Sequence, residues 1–103
     1  MKNNLGKNEH NKLLEDIVSQ LRASGEYGEI HTYLEYNIDG ICGEVDILAD
    51  HLSDSTYHFY EIKCTLTPGT LAKAVRQYQR YKIVHPDQKL KGWAITYNRE
   101  VPL

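Results

Sequence analysis

The sequence has few of the features that mark secreted, membrane or zinc-binding proteins. Its 103 residues contain only two cysteines, Cys42 and Cys64, which form neither a Cys-x-x-Cys motif nor a Cys/His zinc spacing. No apolar run approaches the roughly 20 residues of a membrane span, and residues 1–6 lack the apolar segment of a secretion signal. We therefore expect a cytoplasmic protein without a membrane segment. Its two cysteines are expected to be reduced and packed, and a single disulfide between them is the alternative.

A basic excess, which a simple electrostatic nucleic-acid binder would carry, is also missing. The chain holds 12 Lys and Arg against 14 Asp and Glu, a formal net charge of −2. The charges are unevenly placed, because residues 1–60 hold 4 basic and 11 acidic residues, whereas residues 61–103 hold 8 and 3. An acidic cluster that binds a cation beside a basic segment that contacts phosphate fits this division. Charges scattered over solvated faces are the alternative.

The remaining composition is that of an ordinary globular domain. Apolar residues make up 41% of the chain and charged residues 25%, which are usual values for a globular protein. A chain of this length can bury one hydrophobic core without disulfides. We therefore expect a single domain over residues 1–103.

The hydrophobic pattern predicts six elements in the order α-β-β-β-α-β. Apolar residues at helical spacing predict two helices, over residues 8–23 and 70–84. Alternating and β-rich runs predict four strands, over residues 29–38, 41–49, 57–64 and 92–97. The first of these strands alternates cleanly, and its apolar face would carry Ile30, Thr32, Leu34, Tyr36 and Ile38.

Local signals set the ends of these elements. Asn8 is the candidate N-cap of the first helix, and Gly25 would end it. Asp39-Gly40 predicts a hairpin between the first two strands. Either Thr67 or Thr70 would cap the second helix.

Charged residues recur on the two central strands of this pattern. Glu61 and Lys63 are two residues apart and therefore share one face of their strand, while Asp46 can stand beside Glu61 if the two strands pair. Carboxylates on a mostly apolar sheet need partners, and a divalent cation satisfies two of them. The alternative is an exposed salt bridge between Glu61 and Lys63 on a solvated sheet face.

The order of elements and these residues together resemble the PD-(D/E)xK nuclease superfamily. The motif residues are Asp46 on the second strand, Glu61-Ile62-Lys63 on the third, and Gln77 on the following helix. The spacing Gln77-x-x-x-Tyr81 is similar to the QxxxY motif of RecB-type exonucleases. Archaeal Holliday junction resolvases and small virus-encoded nucleases share the same core. The resemblance implies an α/β fold with a restriction-endonuclease-like core, a mixed sheet flanked by helices, over nearly the whole chain.

The resemblance also implies a metal-dependent deoxyribonuclease, acting as an endonuclease or an exonuclease. Asp46, Glu61 and the backbone carbonyl of Ile62 would hold Mg²⁺ or Mn²⁺. Lys63 would assist the attacking water, and Gln77 would position the water or a phosphate oxygen.

The family often carries a further metal ligand, a Glu on the first helix. Glu9 is the best match to it in this chain, and we include Glu9 among the metal ligands. His10 is the alternative, because it lies closer to the axis of the apolar stripe. A further alternative for either residue is a solvated position in the first turn that favours the helix dipole.

A basic face of the second helix would contact the nucleic-acid backbone through Lys73, Arg76 and Arg80. Tyr81 belongs to the same nucleic-acid-binding set, although packing explains this residue better than chemistry. The resemblance implies DNA as the substrate. It also implies a homodimer or a protein partner that supplies specificity, and the host cytoplasm if the protein is viral.

Two other classes of function fit the same residues. The first is a catalytically silent nucleic-acid-binding or assembly module with the same fold. The second is an α/β domain unrelated to nucleic acids, in which these charges cover a solvated sheet face.

Overall fold

The computed structural model describes the backbone from Lys2 to Leu103 and the side chains from Asn8 onward, so that Met1 of the predicted domain lies outside the described residues. The helices and strands are α1 Lys2–Ser24, β1 Tyr27–Ile38, β2 Ile41–His51, β3 Thr56–Ile62, α2 Pro68–Val84, β4 Leu90–Ile95 and β5 Glu100–Pro102. The predicted order α-β-β-β-α-β is confirmed, and β5 is an additional strand that the sequence did not predict.

The five strands form one mixed sheet in the order β1-β2-β3-β4-β5. Only β3 and β4 run parallel, and α2 makes the crossover between them, whereas the other neighbours are antiparallel. A mixed α/β fold is therefore confirmed. Among the described residues, no helix is both long and apolar enough to cross a membrane.

Each helix covers one face of the sheet through its own apolar cluster. The α1 cluster contains Leu13, Leu14, Val18, Ile47, Tyr60, Ile62 and Ile95. The α2 cluster contains Val45, Leu48, Phe59, Tyr78 and Tyr81. The protein therefore has three layers, with β2 and β3 buried between the two helices.

The ends of the helices follow the sequence signals in part. Asn8 lies inside α1 rather than at its start, so its assignment as the N-cap is wrong. Gly25 directly follows α1 with φ +71° and its N–H donates to Arg22 O, which is the conformation expected of a glycine that ends a helix. Thr67 caps α2, because its Oγ1 accepts from the backbone N–H of Thr70.

The third strand ends earlier than predicted. Lys63 and Cys64 lie beyond Ile62, the last residue of β3, although the backbone N–H of Lys63 still donates to Ile95 O at 2.9 Å. Cys42 and Cys64 are both exposed, so the expectation of packed thiols is wrong, and no disulfide joins them.

The apolar side chains of β1 do not share a single face, contrary to the predicted alternation. Ile30 packs against the α1 cluster, whereas Leu34 and Tyr36 pack against the α2 cluster. The cause is Tyr33, which adopts φ +50° and so leaves the extended conformation between these residues. Side chains beyond Tyr33 therefore point to the opposite side of the sheet.

The side chains of the paired strand β2 also switch from one side of the sheet to the other, opposite Tyr33. Val45 lies in the α2 cluster and Ile47 in the α1 cluster, although residues two apart in a regular strand share a face. Register pairs Thr32 with Ile47 and Leu34 with Val45, which leaves Asp46 opposite Tyr33. The residue between the two packing faces of β2 is therefore Asp46.

Candidate metal and active site

Asp46 lies where β2 and β3 separate. Ile47 pairs with Tyr60, so Asp46 and Glu61 are the next residues along the two antiparallel strands. Asp46 is 9% exposed, and its Oδ2 accepts from the backbone N–H of Ile62 at 2.8 Å. The sheet thus brings together the two carboxylates that the sequence selected, and the carboxylate of Asp46 replaces a strand-to-strand hydrogen bond.

Glu61 is buried more deeply than Asp46, with 2% of the residue exposed. Within the part of the chain that the structure describes, nothing hydrogen bonds to its Oε1. The pKa of Glu61 is raised to about 8, first by burial and then by the charge of Asp46, while Lys63 acts in the opposite direction. At neutral pH, without a cation, Glu61 therefore carries a proton for much of the time.

These properties fit a divalent cation. A buried carboxylate with an unused oxygen, next to a second carboxylate, is a costly arrangement that positive charge relieves. Oxygen ligands of this kind are those that Mg²⁺ and Mn²⁺ prefer. Asp46 and Glu61 can supply two such ligands, and the Ile62 carbonyl as a third ligand stays a prediction.

Lys63 points toward α2 from the loop after β3. Its Nζ donates to Oε1 of Gln77 at 3.2 Å, and both side chains are half-buried. Phe59 belongs to the α2 cluster, so Glu61, two residues further, faces the same side of the sheet as Lys63. Glu61, Lys63 and Gln77 therefore lie together on the side of the sheet that α2 covers.

Glu9 and His10, the two candidates for a metal ligand on the first helix, take different positions. Glu9 is exposed, and its backbone carbonyl accepts from the hydroxyl of Tyr97 at 3.4 Å. His10 turns toward the site instead, and its Nε2 lies 3.4 Å from Oδ2 of Asp46. Because α1 begins at Lys2, His10 lies well inside the helix and not in its first turn. Of the two alternatives, His10 is therefore the one in contact with the acidic pair.

The four residues predicted to bind nucleic acid differ in exposure. Lys73, Arg76 and Arg80 are all exposed on α2, as expected for side chains that contact a phosphate backbone. Tyr81 is only 1% exposed, and its hydroxyl donates to Oε1 of Gln88 at 2.8 Å. Its ring forms part of the α2 cluster, so its position supports packing and not a contact with nucleic acid.

Tyr33 is a residue of this region that the sequence did not single out. It is 41% exposed, its hydroxyl donates to Asn11, and its ring lies 6.5 Å from that of His10. Partial burial raises its pKa, and the nearby charge of Asp46 adds to this effect. A tyrosine at φ +50° carries no signal in the sequence, since glycine or asparagine is the usual residue there.

In comparisons with known proteins, no protein-family model and no curated protein matches the sequence.

Proposed function

We propose that this protein is a metal-dependent nuclease with a PD-(D/E)xK site that hydrolyses phosphodiester bonds of DNA. The observation that carries the proposal is Glu61, a carboxylate 2% exposed whose Oε1 has no partner among the described residues and whose neighbour is Asp46. A cation bound by these two residues accounts for the burial of both. The order of the first six elements, with the acidic residues on the central strands, further supports a restriction-endonuclease-like core.

The proposed ligands are Asp46, Glu61 and the carbonyl of Ile62, with His10 or Glu9 completing the set. Bound there, Mg²⁺ or Mn²⁺ would supply positive charge to the scissile phosphate and activate a water molecule. The N–H of Ile62 holds the carboxylate of Asp46 in place, which fixes the orientation of one ligand in advance.

Lys63 and Gln77 act on the phosphate in this proposal. The ammonium of Lys63 stabilises the negative charge that develops as water attacks. Gln77 accepts a hydrogen bond from that ammonium, so it orients Lys63 and leaves its own amide N–H groups for a phosphate oxygen.

The exposed face of α2 extends the site along the substrate. Lys73, Arg76 and Arg80 would contact backbone phosphates without reading sequence. Specificity would therefore come from a second copy of the chain or from another protein, as the resemblance implies.

A silent nucleic-acid-binding or assembly module is the second candidate. One observation favours it: Asp46 already has a structural role, because its Oδ2 accepts from the N–H of Ile62 and lies beside His10. That role explains Asp46 without a metal, but it does not explain the unpartnered oxygen of Glu61.

Metal binding and cleavage together separate the two candidates. Purified protein would be incubated with linear duplex, single-stranded and four-way-junction DNA in Mg²⁺, Mn²⁺ or EDTA. A nuclease cleaves at least one substrate, requires the metal, and loses the activity in Asp46→Asn. A silent module binds DNA without cleaving it and shows no heat of metal binding that depends on Glu61.

A further inference from the structure

A second group of metal-ligating side chains lies at the opposite end of β2 and β3. His51 ends β2, Asp54 lies in the turn, and His58 is the third residue of β3. One ligand atom from each of the three lies within 4.8 Å of the other two. His51 is five residues along β2 from Asp46, a separation of roughly 16 Å, so this group is distinct from the candidate active site. In the sequence, His51 and Asp54 lie between the predicted strands 41–49 and 57–64, in a short polar segment with the composition of a turn.

His58 is the member of this group that packing alone does not explain. Only 7% of the residue is exposed, and among the described residues nothing hydrogen bonds to its Nε2. Its other ring nitrogen, Nδ1, lies 2.9 Å from the hydroxyl of Tyr27. Burial lowers the pKa of His58, which keeps the imidazole neutral and therefore able to bind a metal.

We propose that His51, Asp54 and Nε2 of His58 form a binding site for a transition-metal ion of the Zn²⁺ class. Two imidazoles and one carboxylate are a ligand set typical of Zn²⁺ and unlike the all-oxygen sets of Mg²⁺. A fourth ligand is available from solvent or from Glu26, whose Oε1 lies 4.0 Å from Nε2 of His51.

Metal-binding histidines usually hydrogen bond through the ring nitrogen that does not bind the metal, and Tyr27 is the partner for such a bond from His58. If Nδ1–H of His58 donates to the Tyr27 hydroxyl, the lone pair of Nε2 is directed away from Tyr27 and is free for the metal. The Tyr27 hydroxyl can then donate to the hydroxyl of Tyr60, 3.3 Å away.

Metal binding requires one ring to turn. The rings of His51 and His58 are stacked with centroids 4.3 Å apart and planes 16° from parallel, so their in-plane lone pairs do not converge. His58 is held by Tyr27 and by the edge of Trp93, whereas His51 lies at the end of its strand. His51 therefore rotates, and its bond from Nδ1 to Oδ1 of Asp54, 2.7 Å long, is replaced by bonds from both residues to the ion.

The positive charge of Lys91 should weaken binding of a metal ion at this site. Its Nζ donates to Oδ2 of Asp54 at 3.1 Å, and hydrogen bonds from Thr56, His51 and Lys91 hold the pKa of Asp54 well below its usual value. The carboxylate is thus ionised at neutral pH, but part of its charge is already compensated by the lysine. Removing Lys91 should strengthen metal binding, a result that a purely structural cluster does not predict.

The test is calorimetric titration of the full chain with Zn²⁺ and with Co²⁺, whose absorption spectrum reports tetrahedral nitrogen and oxygen ligands. We expect one ion to bind at this site, with the same affinity in wild type and in Asp46→Asn, which removes a ligand of the proposed active site and so separates the two sites. Tyr27→Phe should weaken binding by roughly 10–100-fold, His58→Ala and His51→Ala by more than that, and Lys91→Met should strengthen it.

His31→Ala is the matched control. His31 also pairs with a carboxylate, that of Glu29 at 3.1 Å, but this pair is exposed and is not part of the proposed site. The substitution should leave the affinity unchanged. Absence of binding, or equal binding in wild type, His51→Ala and Lys91→Met, would overturn the proposal. These two variants change half-buried or exposed residues, so the test holds even if His58→Ala does not fold.

Discussion

Tyr33 and Asp46 stand opposite each other across β1 and β2, and both strands change their packing face at this position. The left-handed backbone of Tyr33 makes the change possible in β1. Because the pairing of β2 with β3 ends at Ile47 and Tyr60, the carboxylate of Asp46 is free to accept from the N–H of Ile62 and to approach Glu61. The candidate site is thus built where β1 and β2 change their packing face.

The backbone at Tyr33 can be tested by substitution. Because φ is +50°, Tyr33→Gly should have a free energy of unfolding about 1–2 kcal/mol higher than Tyr33→Val. At Thr32, which pairs regularly with Ile47, the order should reverse, since valine favours strands and glycine does not. Denaturant unfolding measures both pairs. If valine is the more stable residue at both positions, the left-handed conformation of Tyr33 is not present.

The buried carboxylate of Glu61 predicts a pH-dependent stability. Its pKa is raised from 4.5 to about 8, so ionisation favours the unfolded chain as the pH rises through this interval. Glu61→Gln, measured without metal, should raise the free energy of unfolding by about 1–3 kcal/mol near pH 8, and should have little effect below about pH 4.

Glu35→Gln is the control for this substitution, because Glu35 is exposed on β1. It should be neutral at all pH values. A stabilisation by Glu61→Gln that does not change between low and high pH would contradict the raised pKa of Glu61.

His10 and Glu9 make opposite predictions for metal binding. Removal of His10, which lies 3.4 Å from Asp46, should weaken Mn²⁺ binding roughly tenfold or more, whereas Glu9→Ala should leave it unchanged. Calorimetry in a His51→Ala background measures this effect without a contribution from the second cluster. Weakening by Glu9→Ala alone would instead assign Glu9 as the ligand.

Lys63 and Gln77 should act as one unit. Since Gln77 accepts the hydrogen bond of Lys63, Gln77→Ala should slow single-turnover cleavage more in the wild-type background than in Lys63→Ala, where only the contact of its amide with the phosphate is lost. The double-mutant cycle is measured at saturating DNA, which separates the chemical step from binding. Additive losses would show that Gln77 acts on the substrate independently of Lys63.

The regular parts of the fold could be predicted from the sequence because local chemistry determines them. Asp39-Gly40 joins β1 to β2 with positive φ at both residues, Gly25 follows α1, and Thr67 caps α2. The shared face of Glu61 and Lys63 follows from alternation alone. Their neighbour Asp46 required only that β2 and β3 pair, which the short polar turn between them indicated.

The remaining features depend on tertiary contacts that no local pattern encodes. The face change at Tyr33 has no signal, because the sequence continues its alternation through it. The choice of His10 over Glu9 depends on how α1 lies across the sheet. The partners of His58 come from β1 and β4, so its burial could not be deduced from the turn in which His51 and Asp54 were found.

The central claim is that Asp46, Glu61 and Lys63 form a metal-dependent hydrolytic site, and one cleavage assay tests it most directly. Wild type, Asp46→Asn, Glu61→Gln and Lys63→Ala would be compared on DNA in Mg²⁺, Mn²⁺ and EDTA, with Lys89→Ala as a control for an exposed lysine. We expect cleavage by wild type and Lys89→Ala in metal only, and cleavage at least roughly 100-fold slower by the other three. Cleavage near the wild-type rate in Asp46→Asn or Lys63→Ala, or no cleavage and no metal binding by wild type, would contradict the claim.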